Sequence, residues 1–115
     1  MTKIKLEFLN ELSGGDAKFV SLMLKTYIEE TGNELLLLEE AYQNKDRSSI
    51  AFWAHKIKSS FYFLGLEQLS ARAANLEQNA KNLHFSLDNL HDDLSFISTN
   101  AADSIQQAKK LIERF

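Results

Sequence analysis

The sequence predicts an all-α domain: an antiparallel up-and-down four-helix bundle with a short additional N-terminal helix. Three observations carry this. There is no proline and there are only four glycines, so little in the chain interrupts a helix. No period-two run of β-branched residues appears, and no Asn-Gly or Asp-Gly hairpin turn. Apolar residues instead recur in steps of three and four, the spacing that lines one side of a helix.

Each element can be justified in turn. Leu6, Leu9 and Leu12 place a short helix over roughly 3–12, which "SGGD" then breaks. Asp16 caps the next helix by accepting from its first free amides. That helix runs from Ala17 to about Tyr42 on Val20, Met23, Tyr27, Leu35, Leu38 and Ala41. The "TGN" at 31–33 marks either a kink or a break into two helices, and the pattern allows both. "QNKDR" supplies a turn, with Asp46 as the cap of a third helix that ends near Gly65, where a left-handed residue is expected. Leu66, Leu69, Ala73, Leu76, Ala80 and Leu83 form a bundle seam. Ser86 is the expected cap of the last helix, with Phe85 stapled on Leu90. Leu94, Ile97, Ala101, Ile105, Ala108, Leu111 and Phe115 continue it. Amphipathic helices joined by short turns bury their stripes only against one another, hence the bundle.

Composition narrows the functional classes. At 115 residues the chain supports one domain, 1–115, with one core. With no cysteine, disulfides, thiolate catalysis and cysteine-based zinc sites are excluded. The first twelve residues are too charged for a signal peptide, and the longest apolar run, Leu35–Leu38, is far too short to span a bilayer. A cytoplasmic location, with no membrane contact, is the expectation. A net charge of −3 argues against nucleic acid as a partner. No G-x-x-x-x-G-K-[ST] loop or kinase-type glycine loop is present, so the chain lacks its own ATP site.

The third helix, "AFWAHKIKSSFYFLG" in its central part, has too many apolar residues for one face. Ile50, Trp53, Ala54, Ile57, Phe61 and Leu64 share one arc and form the core side. His55 points away from that arc, with Ala51, Phe52, Lys58, Ser59 and Tyr62 around it and Phe63 at the flank. The expected exposed face thus carries an imidazole, an ammonium, two small residues and surplus aromatics. From Arg47 to Leu66 there is no acid, while Arg47, Lys56 and Lys58 give +3, leaving −6 for the rest of the chain. An acid-free helix in an acidic protein suits the receipt of a negative group. A lone surface histidine is ordinarily just solvated; the conjunction of patch, charge and position is what singles out His55. Burial of the ring, or a carboxylate locked against it, would count against the reading.

"AHKIKSSFYFLGLEQL" resembles the signature of histidine-containing phosphotransfer (HPt) domains, A-H-x-L-K-G-S-x-x-x-L-G. Ala54, His55, Ile57, Lys58, Ser60, Leu64 and Gly65 fall in register. "NLE" at 75–77 and "SGGDAKFV" also resemble family stretches. The resemblance implies a phosphocarrier of a multistep His–Asp relay, with His55 phosphorylated and Nε2 attacking. It implies a response-regulator receiver domain or a hybrid sensor histidine kinase as partner, and a monomer. It implies no cofactor on this chain, with Mg²⁺ brought by the receiver. An imidazole with an unperturbed pKa of ~6.5 is largely uncharged at neutral pH and so nucleophilic. Lys58 would neutralise charge on the moving group, with Lys56 at the periphery. Phe52, Tyr62 and Phe63 would anchor the partner. Ser59 departs from the family's usual glycine and is a further candidate donor. The alternative is a helical adaptor that binds a receiver-like partner through the same patch without carrying phosphate.

Other candidates are weaker. His84 and His91 lack a third convergent ligand. The pairs Glu29/Glu30, Glu39/Glu40 and Asp92/Asp93 diverge around their helices.

Overall fold

Residues 3–115 are described by a computed structural model; Met1 and Thr2, the start of the charged N-terminal stretch, lie outside the described residues. The helices are α1 (Glu7–Ser13), α2 (Ala17–Gln43), α3 (Arg47–Phe63), α4 (Glu67–Lys81) and α5 (His91–Ile112), the last preceded by a 3₁₀ turn over Asp88–Leu90. Helix α3 packs between α2 and α4, and α5 closes the ring against both, so that α2 lies diagonally across from α4. Cross-helix bonds confirm the antiparallel order: Tyr27 meets Ser104 and Glu39 meets Ser98 between α2 and α5. The expected bundle with its short leading helix is the observed one.

The stripes read from spacing form the core. Leu9, Leu24, Leu38, Ile50, Ile57, Phe61, Leu69, Leu76 and Ile97 are fully buried, each worth about 1.5–3 kcal/mol relative to exposure. Asp16 accepts from the amides of Lys18 and Phe19, and Asp46 from Ser49, as caps should. Gly65 has φ +67, and a Cβ there would lie 2.7 Å from Cβ of Lys5. The Lys5 amide donates to the Leu64 carbonyl beside it, at 2.8 Å, so this turn is where the N-terminal segment docks.

Several expectations need correction. Helix α2 passes through "TGN" without a break; Thr31 is fully buried there, and packing on two neighbours outweighs the roughly 1 kcal/mol penalty of a helical glycine. Helix α4 ends at Lys81, leaving Leu83 outside the seam and 82% exposed. Ser86 accepts from the Asp88 amide two residues on, in the turn that leads into the 3₁₀ segment, and does not cap α5, whose N-cap is Leu90. Trp53 is only half-buried at the core's edge, and Ala51, expected on the open face, is buried. Arg47 does not face an incoming anion. Its guanidinium donates to the carbonyls of Asn79, Ala80, Asn82 and Phe85, groups that the end of α4 and the loop after it leave without helical partners.

Candidate functional site

His55 stands mid-helix on α3, on the side turned from the core, and its side chain is 62% exposed. The placement follows from the sequence: Ala54 and Ile57 go inward, and the next position round the helix goes out. An open cavity of about 470 Å³ lies beside it, lined by Ser48, Ala51, Phe52, His55, Glu77 and Lys81.

The electrostatics differ from the expectation of an acid-free surrounding. Glu77 of α4 reaches across, with Oε2 3.0 Å and Oε1 3.2 Å from Nδ1 of His55. The same carboxylate accepts from Lys58 at 3.0 Å and from Lys81 at 3.2 Å. Burial, at 13% side-chain exposure, would raise its pKa, but hydrogen bonds from Lys58, His55 and Lys81 outweigh it and pull the group down to about 2. Glu77 is therefore ionised at any ordinary pH and is an acceptor only, so Nδ1 must carry the proton. In the neutral ring that leaves the lone pair on Nε2. The inference that a nearby acid disqualifies the histidine fails for this reason: the two nitrogens are distinct, and the acid holds the one that need not react.

Lys58 lies where its spacing put it, one turn from His55, but it is only 30% exposed and is tied to Glu77. Lys56 extends over aromatic rings, 5.6 Å from the Phe52 centroid and 5.9 Å from that of Trp53. Ser59 is exposed, yet it opens toward α2, lining a small cavity with Met23, Tyr27 and Phe63. It is not among the residues around the His55 cavity. Phe52 is 54% exposed and Tyr62 is 62% exposed, but they do not form one cluster. Phe52 packs edge-on to Trp53, whereas Tyr62 and Phe63 each lie 5.6 Å from the ring of Phe8 on α1.

Three neighbours of the site escape a reading of α3 alone: Glu77, Lys81 and Phe8; Ser48 stands on α3 itself, two turns before His55. Glu77 sits within the matched "NLE", but no spacing rule links it to a ring on another helix. Phe8 lies off the leucine stripe of α1, and that surplus aromatic was its only signal. Among the described residues, no group of three or more His, Asp or Glu side chains is placed to hold a metal ion, and no helix is long and apolar enough to cross a membrane.

Comparison with known proteins bears on this geometry. Curated protein sequences give no match. The structure is similar to the crystal structure of histidine-containing phosphotransfer protein B from Pseudomonas aeruginosa PAO1, with a TM-score of 0.85 over 97% of this chain and 96% of that one. At 19% identity the likeness is one of fold. The family model described as Hpt domain matches residues 22–114, a span that includes His55, Lys58, Glu77 and Lys81. With most of its length under that match, and with an outward histidine on the third helix of the expected bundle, the chain belongs to the Hpt domain family, whose members are phosphotransfer carriers.

Proposed function

We propose that this chain takes a phosphoryl group onto Nε2 of His55 from the aspartyl phosphate of a receiver domain and passes it to the aspartate of another. The observation that supports this best is the pairing of an exposed imidazole with an ionised carboxylate at Nδ1. In the forward step the Nε2 lone pair attacks phosphorus. The P–O bond to the donor carboxyl breaks, that carboxylate leaves with the electron pair, and the new P–N bond leaves the ring cationic. No proton has to move, since Nδ1 keeps its own. Glu77 faces the positive charge as it develops on the ring, an electrostatic gain made in the transition state rather than before it.

Lys58 and Lys81 hold Glu77 between them and bring two positive charges near the ring. They offset the negative charge of the incoming group, which is where phosphoryl transfer draws most of its catalysis. Phe52, Tyr62 and Phe63, with Lys56 at the margin, form the docking surface in this reading, and Phe8 enlarges it. The exposed Ser59 is assigned to the rim of that surface. The chain itself neither binds ATP nor holds a cofactor; Mg²⁺ belongs to the receiver, and the relay operates in the cytoplasm, where a receiver or a hybrid kinase meets it.

Incubation with a phosphorylated receiver domain tests this. A base-stable, acid-labile label on the wild type, absent from His55→Gln, is the expected result. Binding without label on the wild type would instead establish the adaptor. The Lys58→Ala variant should bind the receiver as before and transfer about tenfold more slowly, in line with loss of one charge-assisted contact; unchanged transfer kinetics would remove its role.

A further inference from the structure

Helix α4 ends without a glycine. Its C-cap, Asn82, is in extended conformation, and the Asn82 amide donates to the Asn79 carbonyl, so no left-handed residue gathers up the other carbonyls of the last turn. Arg47, the first residue of α3, does so from outside. Its Nη1 donates to the carbonyls of Asn79, Ala80 and Asn82 at 3.4, 3.2 and 3.1 Å, and its Nη2 donates to that of Phe85. One guanidinium thus fastens the end of α4 and the loop after it to the start of α3, with a cation where a helix C-terminus favours one.

Lys81 lies inside the stretch so held. It is the last residue of α4, and it donates to Oε2 of Glu77, 3.2 Å away. The same oxygen lies 3.0 Å from Nδ1 of His55. Among the described residues, the side-chain hydrogen bonds between α3 and α4 are those of Arg47 and those that Glu77 makes with His55 and Lys58. The buried side chains of both helices are all apolar, and apolar contact is non-directional. It turns the two stripes together without fixing a carboxylate on one nitrogen. Hydrogen bonds do fix it, because they weaken steeply with distance and angle. The polar ties therefore work as a pair, Arg47 reaching out from α3 and Glu77 reaching back from α4.

We propose that Arg47 is a positioning residue for phosphoryl transfer: by fastening the end of α4 to α3 it sets where Lys81 and Glu77 stand, and so keeps the proton on Nδ1 of His55 and the lone pair on Nε2. Its consequence for transfer rests on the relay proposed above; its consequence for the ring does not. Arg47 bonds to neither His55 nor Glu77, so its effect passes through α4. Without the clamp, the last carbonyls of α4 have only water to accept from, and the turn frays as helix ends do. Lys81 then leaves Glu77, whose carboxylate keeps donors on α3 alone and no fixed distance from the ring.

Ring-nitrogen NMR of His55, assigned against His55→Gln, tests the proposal together with labelling by a phosphorylated receiver. At a pH well above the ordinary imidazole range, the wild type should carry the proton on Nδ1. In Arg47→Met that form should lose its dominance, and transfer at equal folded fraction should slow about fivefold, less than on loss of Glu77 itself. Arg47→Lys keeps the charge but not the fork and should fall between the two on both readouts; should Arg47→Met not fold, Arg47→Lys carries the test. Adding Arg47→Met to Glu77→Ala should slow transfer no further, because Arg47 acts through Glu77. A ring that keeps its Nδ1 proton in the Arg47 variants, or a slowing that adds in full to that of Glu77→Ala, would overturn the proposal. If no receiver labels even the wild type, the relay fails, and the response of the ring to Arg47→Met still decides the positioning.

Discussion

The α2–α5 seam and the α3–α4 groove both hold polar side chains between helices, with opposite consequences. In the seam, Ser104 donates to the Ala101 carbonyl at 2.7 Å, so Tyr27 must be the donor in its 2.6 Å bond to Ser104. Both residues are buried, and burial pushes the Tyr27 phenol up to about 12. Thr31, one turn along and fully buried, has no hydrogen-bond partner for its Oγ1 among the described residues. Around Tyr27 and Thr31 the seam is thus neutral, fixed and costly to disturb. In the groove, Glu77 is pulled down to about 2 by three cationic or ring donors, beside an exposed imidazole. Its groups are charged and open to water on one side. One interface uses polarity to hold two helices in register; the other uses it to poise a nucleophile.

If that contrast is right, transfer and stability should come apart under mutation. The largest effect is expected for Glu77→Ala. Labelling of His55 by a phosphorylated receiver should fall about 10- to 100-fold, the usual loss when the group orienting a histidine is removed. Its urea midpoint should fall as well, since the paired carboxylate stabilises the fold at neutral pH, so transfer is compared at equal folded fraction. Transfer at the wild-type rate under that condition would mean that the groove is a structural contact like the seam.

The reciprocal variant is Tyr27→Phe. It should cost about 1 kcal/mol in urea unfolding, because one buried hydrogen bond is lost while Ser104 keeps its carbonyl partner. Rates of phosphoryl transfer should match the wild type. A transfer defect at equal folded fraction would connect the two regions.

The smallest effect is the dependence on pH. Glu77 has a folded pKa below its ordinary value of 4.5, so the folded state holds fewer protons there than the unfolded one. Its contribution to stability is full above about 4.5 and is lost as pH falls toward about 2. Urea titrations across that window should show a steeper loss for the wild type than for Glu77→Gln. Identical slopes would show that the carboxylate does not carry the difference.

Much of the fold is legible in the order of residues alone. The stripes of α2 to α5, the caps at Asp16 and Asp46, the left-handed Gly65 and the outward histidine all come from rules within one helix. What escapes such rules lies between helices. Arg47 counts as positive charge for an anion, yet it closes the end of α4. Ala51 counts as open surface, yet it is buried. The three aromatics count as one patch, yet α1 draws two of them to Phe8.

By itself the sequence determined which residues turn inward and which stay out, since a 3.6-residue period relates positions on one helix without reference to any other. It thereby determined the bundle, and that His55 meets water. Only the tertiary structure decided the company of that ring. Glu77 is twenty-two positions away, and its arrival at Nδ1 depends on how α3 and α4 pack, which no periodicity within either helix encodes.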